Sequence, residues 1–141
     1  MQQKQTVRDW MKDLIVFVDP ETTVTDALTL MRHRYVNSLI VRKTESNPEY
    51  GIVTAFDVCD KIVAREANPS KVTVVEIMNS PLKTVSEDMS LKECAEKMKE
   101  NRFHHLPVVD KDGKLVGMIN AEDFLVVAEV MGRGNGERVL S

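Results

Sequence analysis

Cysteine, histidine and aromatic residues are scarce in this 141-residue chain, which has two Cys, three His, one Trp, two Tyr and four Phe. Two cysteines make no disulfide framework. Neither Cys59 nor Cys94 has a CxxC partner or a histidine at metal-ligand spacing, so both are expected to be reduced core residues and no metal is expected to be required. Long hydrophobic runs are missing as well: segments such as 14–18 and 124–127 fall far short of the roughly 20 residues of a membrane helix. No membrane partner is expected. The stretch before Arg8 is polar and lacks a signal-peptide core, which points to a cytoplasmic location. An excess of charge of one sign is absent too, with 19 Lys and Arg against 22 Asp and Glu for a net charge of -3, so nothing is available to wrap a nucleic-acid backbone. What remains, 43% apolar and 29% charged residues, is the composition of a globular chain long enough to bury a core.

The chain also repeats itself. Residues 7–11 (Val-Arg-Asp-Trp-Met) align with 74–78 (Val-Val-Glu-Ile-Met) at a shift of 67 residues. The same shift places Val18 on Val85, Glu21 on Asp88, Thr23 on Ser90, Asp26 on Glu93, Met31 on Met98, Leu39 on Leu106 and Val41 on Val108. After a loop one residue longer in the first copy the shift becomes 66, and Gly51-Ile-Val-Thr-Ala-Phe-Asp57 falls on Gly117-Met-Ile-Asn-Ala-Glu-Asp123. Units of roughly 60 residues are marginal alone and two are too few for a solenoid, so two copies packed on each other are expected.

Thr23 with Asp26 and Ser90 with Glu93 have the hydroxyl-to-carboxylate spacing of a helix N-terminus. Behind them Val24, Ala27, Leu28 and Met31, and in the second copy Leu91, Cys94, Ala95 and Met98, recur at helical spacing as core-facing stripes. The apolar runs 38–41 and 106–109 each precede a polar turn and a second run, which reads as a strand pair. Asp112-Gly113 marks the tighter hairpin and 45–50 a looser one. Further helices are expected over about 55–67 and 121–131. The fold class is therefore mixed α/β (α+β), with two β-α-β-β-α repeats. The expected division is 1–72 for the first repeat with its N-terminal segment, 73–131 for the second, and 132–141 for a flexible glycine-rich tail. Gly132-Arg-Gly-Asn-Gly136 follows a helix, whereas a dinucleotide loop needs a strand before it and a helix after it.

With these residues in view, the sequence resembles a tandem pair of CBS domains, the repeat that occurs in pairs as the Bateman module, here as a stand-alone CBS protein. Gly51 to Asp57 fits the family signature of Gly, two apolar residues, Thr or Ser, two variable residues and Asp. Leu106-Pro107-Val108 with Gly117 to Asp123 fits it except that Asn120 replaces Thr or Ser. The resemblance implies a pseudo-two-fold pair whose small sheets pack with helices around two clefts for adenosine nucleotides (AMP, ADP or ATP). It further implies that two such pairs form a homodimer. The module is then non-catalytic and senses energy or metabolite state, acting in trans on an unknown protein partner. NAD, an S-adenosyl or methylthioadenosine compound, and a structural dimer without ligand are the alternatives. An acid-base enzyme built on Asp57, Asp123 and the histidines is a further alternative. Against it stands the absence of a nucleophile elbow, a closely spaced carboxylate pair, a metal constellation or a phosphate loop with Lys.

An adenosine nucleotide presents a ribose diol, a flat base and a phosphate, so its site needs an acceptor, an apolar slot and donors. Asp57 and Asp123 are the candidate acceptors, with Thr54 and Asn120 at the same entrances. Taken singly, such a pair is more often a capping box; Gly51 and Gly117 just upstream argue for close approach of a ligand. His104 and His105, carried over from nucleotide-binding members of the family, would reach phosphate, where the first copy has Asn37 and Ser38. Strand alternation lets at most one of the two histidines face the ligand from the strand proper. The apolar slot would come from Val18, Pro20, Val85, Met78 and Pro81, each of which, taken alone, is better explained as ordinary core. Met11 and Met78 occupy one repeat position and read as fillers of an apolar interface, and His33 as part of a solvated basic face beside Arg32 and Arg34.

Overall fold

The computed structural model describes residues 5–133, so most of the expected tail, 134–141, lies outside the described residues. Two three-stranded sheets with helices make a mixed α+β architecture, divided into two compact units. One unit is Ile15–Leu82. The other joins residues 5–14 to residues 83–133.

In the unit 15–82, Thr23 Oγ1 accepts the Asp26 N–H at 3.2 Å and so starts helix α2 (Val24–Arg34). Arg32, His33 and Arg34 in its last turn favour the negative end of the helix dipole, and Tyr35 ends it at a left-handed φ of 55°. The short strand β1 (Phe17–Val18) runs parallel to β2 (Ser38–Val41), which pairs antiparallel with β3 (Gly51–Thr54). The central strand β2 is buried along its whole length, and Leu39, Val41 and Val53 meet Val24, Ala27 and Met31 of α2 in one core. The helix expected over 55–67 is realised differently. An α-helical turn, α3 (Ala55–Val58), passes into a π-helical turn over Cys59–Val63, with Ala64 N–H donating to Cys59 C=O at 2.9 Å. A short helix α4 (Val74–Ile77) adds Val74 and Ile77 to the same core. Thr73 N–H and Oγ1 both donate to Glu76 at its start. These bonds hold the Glu76 carboxyl below its ordinary range, so their contribution is present at neutral pH and fades as acid protonates the group.

The other unit repeats this plan. Ser90 caps α5 (Leu91–Asn101) through the Glu93 N–H, β4 (Val85–Ser86) runs parallel to β5 (His105–Val109), and β5 pairs antiparallel with β6 (Leu115–Asn120). Gly113, at φ 80°, turns the expected tight hairpin. Helix α6 (Asp123–Gly132) follows. Leu91, Cys94 and Met98 are buried as the stripe predicts, whereas Ala95 is exposed, so the stripe is narrower than its spacing suggested.

The N-terminal segment belongs to this second unit. Its short helix α1 (Val7–Trp10) puts Val7 into the core with Val85, Leu106 and Ile119. Backbone bonds fix it in place: Val7 N–H to Met89 C=O and Arg8 N–H to Glu87 C=O, both 2.9 Å, then a two-way bridge between Lys12 and Met118. The Arg8 guanidinium also reaches Glu87 at 3.2 Å and Asp88 at 2.6 Å. Residues 73–82 do the same for the first unit, where Asn79 and Ile52 exchange backbone bonds at 2.9 Å. The segment that opens each sequence repeat is thus built into the compact unit of the other.

The two thiols stand in opposite surroundings. Burial pushes the Cys94 thiol up to about 11, while Cys59 is exposed. Native protein at neutral pH is expected to titrate one thiol with Ellman's reagent and denatured protein two; two fast-reacting thiols in the native state would contradict the described core.

Candidate ligand-binding site

Strand β3 delivers Thr54 and, one turn into α3, Asp57, which is only 4% exposed. Its Oδ2 accepts the Thr54 N–H at 2.8 Å and Thr54 Oγ1 at 3.1 Å, the start of the helix that the spacing also allowed. The Oδ1 accepts Asn79 Nδ2 at 2.8 Å and Lys61 Nζ at 3.4 Å, and Lys61 also donates to the Ile77 carbonyl at 2.8 Å. Four donors therefore converge on one carboxylate.

Strand β6 delivers the equivalent pair in the other unit. Asp123, 9% exposed, accepts the Asn120 N–H on Oδ2 at 2.8 Å and returns its own N–H to Asn120 Oδ1 at 3.2 Å. Asn120 does part of the work of the expected Thr or Ser: its side chain caps the helix, but it sends no side-chain donor to the carboxylate. Asp123 Oδ1 meets Lys12 Nζ at 2.8 Å, and the Lys12 side chain is 65% exposed. His105 is half-buried and pairs with Asn120 across β5 and β6; His104 is exposed and its carbonyl accepts the Ala121 N–H at 2.8 Å. Asn120, Asp123 and His105 are thus gathered at one end of the β5–β6 pair, with the Lys12 ammonium on the Asp123 carboxylate.

The glycines play a part other than the one expected. A Cβ on Gly51 would stand 2.2 Å from Met78 Sδ, and one on Gly117 would stand 2.6 Å from Met11 Sδ and 2.7 Å from the Lys12 carbonyl. The close approach that each glycine permits is made by the methionine of the segment 1–14 or 73–82. Met78, a candidate for the apolar slot, is packed over Gly51, while Val18, Pro20 and Val85 are buried and Pro81 is exposed. A shallow open depression of about 330 Å³ beside α2, lined by Thr29, Arg32, His33 and Tyr35, contains none of the candidates. Among the described residues no group of three His, Cys, Asp or Glu is placed to hold a metal ion, and no helix is long and apolar enough to cross a membrane.

Lys12, Asn79 and Lys61 are absent from the sequence-derived candidates. The repeat itself carries the signal for two of them: Lys12 and Asn79 occupy the same position, each directly after the methionine that covers a glycine. Pairing each of them with the Asp of the other repeat requires knowing that the opening segments change places.

The CBS domain profile matches this chain twice, over residues 7–64 and 74–129. An uncharacterized protein of Methanopyrus kandleri is 32% identical over 113 residues, covering 80% of this chain, which spans 57% of that relative's length. The crystal structure of an uncharacterized conserved protein from Pyrococcus horikoshii superposes with a TM-score of 0.80 at 25% identity, covering 100% of this chain and 99% of that one. A CBS domain pair crystallised with 5'-methylthioadenosine and S-adenosyl-L-methionine has a TM-score of 0.75 over 94% of this chain and 100% of that one, at 23% identity, a likeness of fold alone.

Proposed function

The chain belongs to the CBS domain family as a tandem pair of its repeats, and from that premise we propose that it is a non-catalytic regulatory module that binds an adenosine-containing ligand. The observation that carries the reading is a nearly buried carboxylate, Asp123, held at a helix start with an ammonium group on one oxygen. A carboxylate so placed suits a ribose diol, and Lys12 with His104 and His105 suits a phosphate. AMP or ATP is the ligand this set favours. The methylthioadenosine and S-adenosyl-L-methionine in the similar CBS pair support a second ligand class that shares the nucleoside and lacks phosphate. The proposed place of action is the cytoplasm, in trans on a protein partner. The exposed apolar side chains Leu125, Val126, Val130 and Met131 on α6, and Phe56 and Val63 in the first unit, support assembly as a homodimer.

Native mass spectrometry of the purified protein tests the reading directly, with a co-purifying adenosine compound expected. In calorimetric titration Asp123→Ala is expected to weaken AMP binding by about 1–3 kcal/mol, the range for a lost hydrogen bond to a charged group. Unchanged affinity would remove Asp123 from the site. Incubation with ATP should yield no product.

The histidines carry a separate prediction. The double change His104→Ala with His105→Ala removes two imidazoles that can donate to a phosphate, so it is expected to weaken AMP binding while adenosine binding stays nearly constant. Equal AMP affinities for it and wild type in calorimetric titration would exclude both side chains as phosphate ligands.

A further inference from the structure

The two carboxylates are equivalent in sequence and unequal in what they hold. A carboxylate offers about four acceptor positions. Asp57 fills them with Thr54 N–H, Thr54 Oγ1, Asn79 Nδ2 and Lys61 Nζ. Among the described residues Asp123 accepts two side-chain bonds, from Asn120 N–H and Lys12 Nζ. The cations differ as well. The Lys61 side chain is 23% exposed and anchored to the Ile77 carbonyl, whereas that of Lys12 is 65% exposed and its ammonium has no second partner among the described residues. A diol approaching Asp57 must evict a donor that is held elsewhere; a diol approaching Asp123 finds acceptor positions open and a cation that can swing.

We infer that the pair has divided its labour: Asp57 is a structural clamp that fastens residues 73–82 to the first repeat, and Asp123 alone is the ligand carboxylate, with Lys12 as the ammonium that turns from it to the ligand's anion. The clamp half stands on the hydrogen bonds alone, and the ligand half rests on the adenosine reading above. Lys12 then determines specificity. With a phosphorylated nucleoside it exchanges one anionic partner for another, and with a nucleoside lacking phosphate it gains nothing on leaving Asp123.

The test has a ligand-free arm and a titration arm. Asp57→Asn places an amide N–H against donors already in place, so its thermal midpoint is expected to fall by roughly 6–10 °C, and that of Asn79→Ala, the milder variant if the first fails to fold, by several degrees. Lys12→Ala, which removes an exposed ammonium, and Asp123→Asn, which keeps an oxygen for the Asn120 N–H and loses only the pair with that ammonium, should each shift it by less than about 3 °C. Equal shifts on the two sides overturn the clamp. In titration with AMP and adenosine as probes, wild type is expected to bind one AMP per chain. Asp123→Asn should weaken that site roughly 10–100-fold, and Lys12→Met should weaken AMP roughly tenfold while leaving adenosine unchanged. Two AMP per chain, unchanged AMP affinity in Asp123→Asn, or equal losses for AMP and adenosine in Lys12→Met overturn the ligand half. If wild type binds neither probe nor methylthioadenosine, the adenosine reading and the ligand half fall together, and the melting comparison still decides the clamp.

Discussion

Deleting residues 1–13 is expected to unfold the unit that begins at Lys83 while leaving 15–82 folded. Val7 is fully buried in that unit's core, and Trp10 and Met11 pack against it. Burying a side chain of this size is worth about 1.5–3 kcal/mol. Losing all three, together with the backbone bonds to Met89, Glu87 and Met118, exceeds about 4 kcal/mol, most of what a small unit has to lose. Circular dichroism should show a partial loss of signal, and Cys94, shielded in the intact chain, should become reactive toward Ellman's reagent. A synthetic peptide of residues 5–13 added in excess should restore its protection. A truncated chain that keeps Cys94 shielded and melts like its parent would show that the segment is dispensable.

Replacing Gly117 by alanine is expected to cost about 2–3 kcal/mol, the upper part of the range for overpacking, and replacing Gly51 about 1 kcal/mol. Both new methyl groups meet a methionine, and a thioether side chain can move aside. Only at Gly117 does the methyl also meet backbone, the Lys12 carbonyl at 2.7 Å, and that backbone is pinned to Met118 by hydrogen bonds at 2.9 and 2.8 Å. Urea denaturation of the four single variants and the two double variants checks the distinction. Met78→Ala should relieve most of the Gly51→Ala penalty in a double-mutant cycle, whereas Met11→Ala should relieve only part of the Gly117→Ala penalty. Complete relief in both cycles would place the whole cost in the methionines.

These glycines also mark where sequence reasoning reaches its limit. Their recurrence was legible as a demand for close approach, but what approaches depends on contacts between residues far apart in the chain. Local signals translated well: Thr23 and Ser90 cap helices as their spacing implied, Gly113 turns its hairpin, and the strand registers follow the apolar runs. Spacing gave the positions of Asp57 and Asp123 and their nearness to Thr54 and Asn120. It gave no sign of Lys12 reaching Asp123, a pair 111 residues apart, nor of the π-helical turn at Cys59–Val63, which has no counterpart in α6. Ala95 recurs at core spacing and is exposed, because helical period fixes a face and not how far the neighbouring layer covers it.

The change of place between opening segments has a kinetic side. Residues 15–82 form one uninterrupted stretch, whereas the other unit is assembled from two stretches with that whole length between them. A chain must close the intervening loop before Val7 can meet Val85 and Leu106, and loop closure costs more entropy the longer and looser the loop. Once 15–82 has collapsed, its ends are held by a folded body and no longer by a free coil. Refolding is therefore expected to run in order, with the inserted unit first and the split unit waiting on it. Protection of the amides of β2 and β3 should precede that of β5 and β6 in pulsed hydrogen exchange.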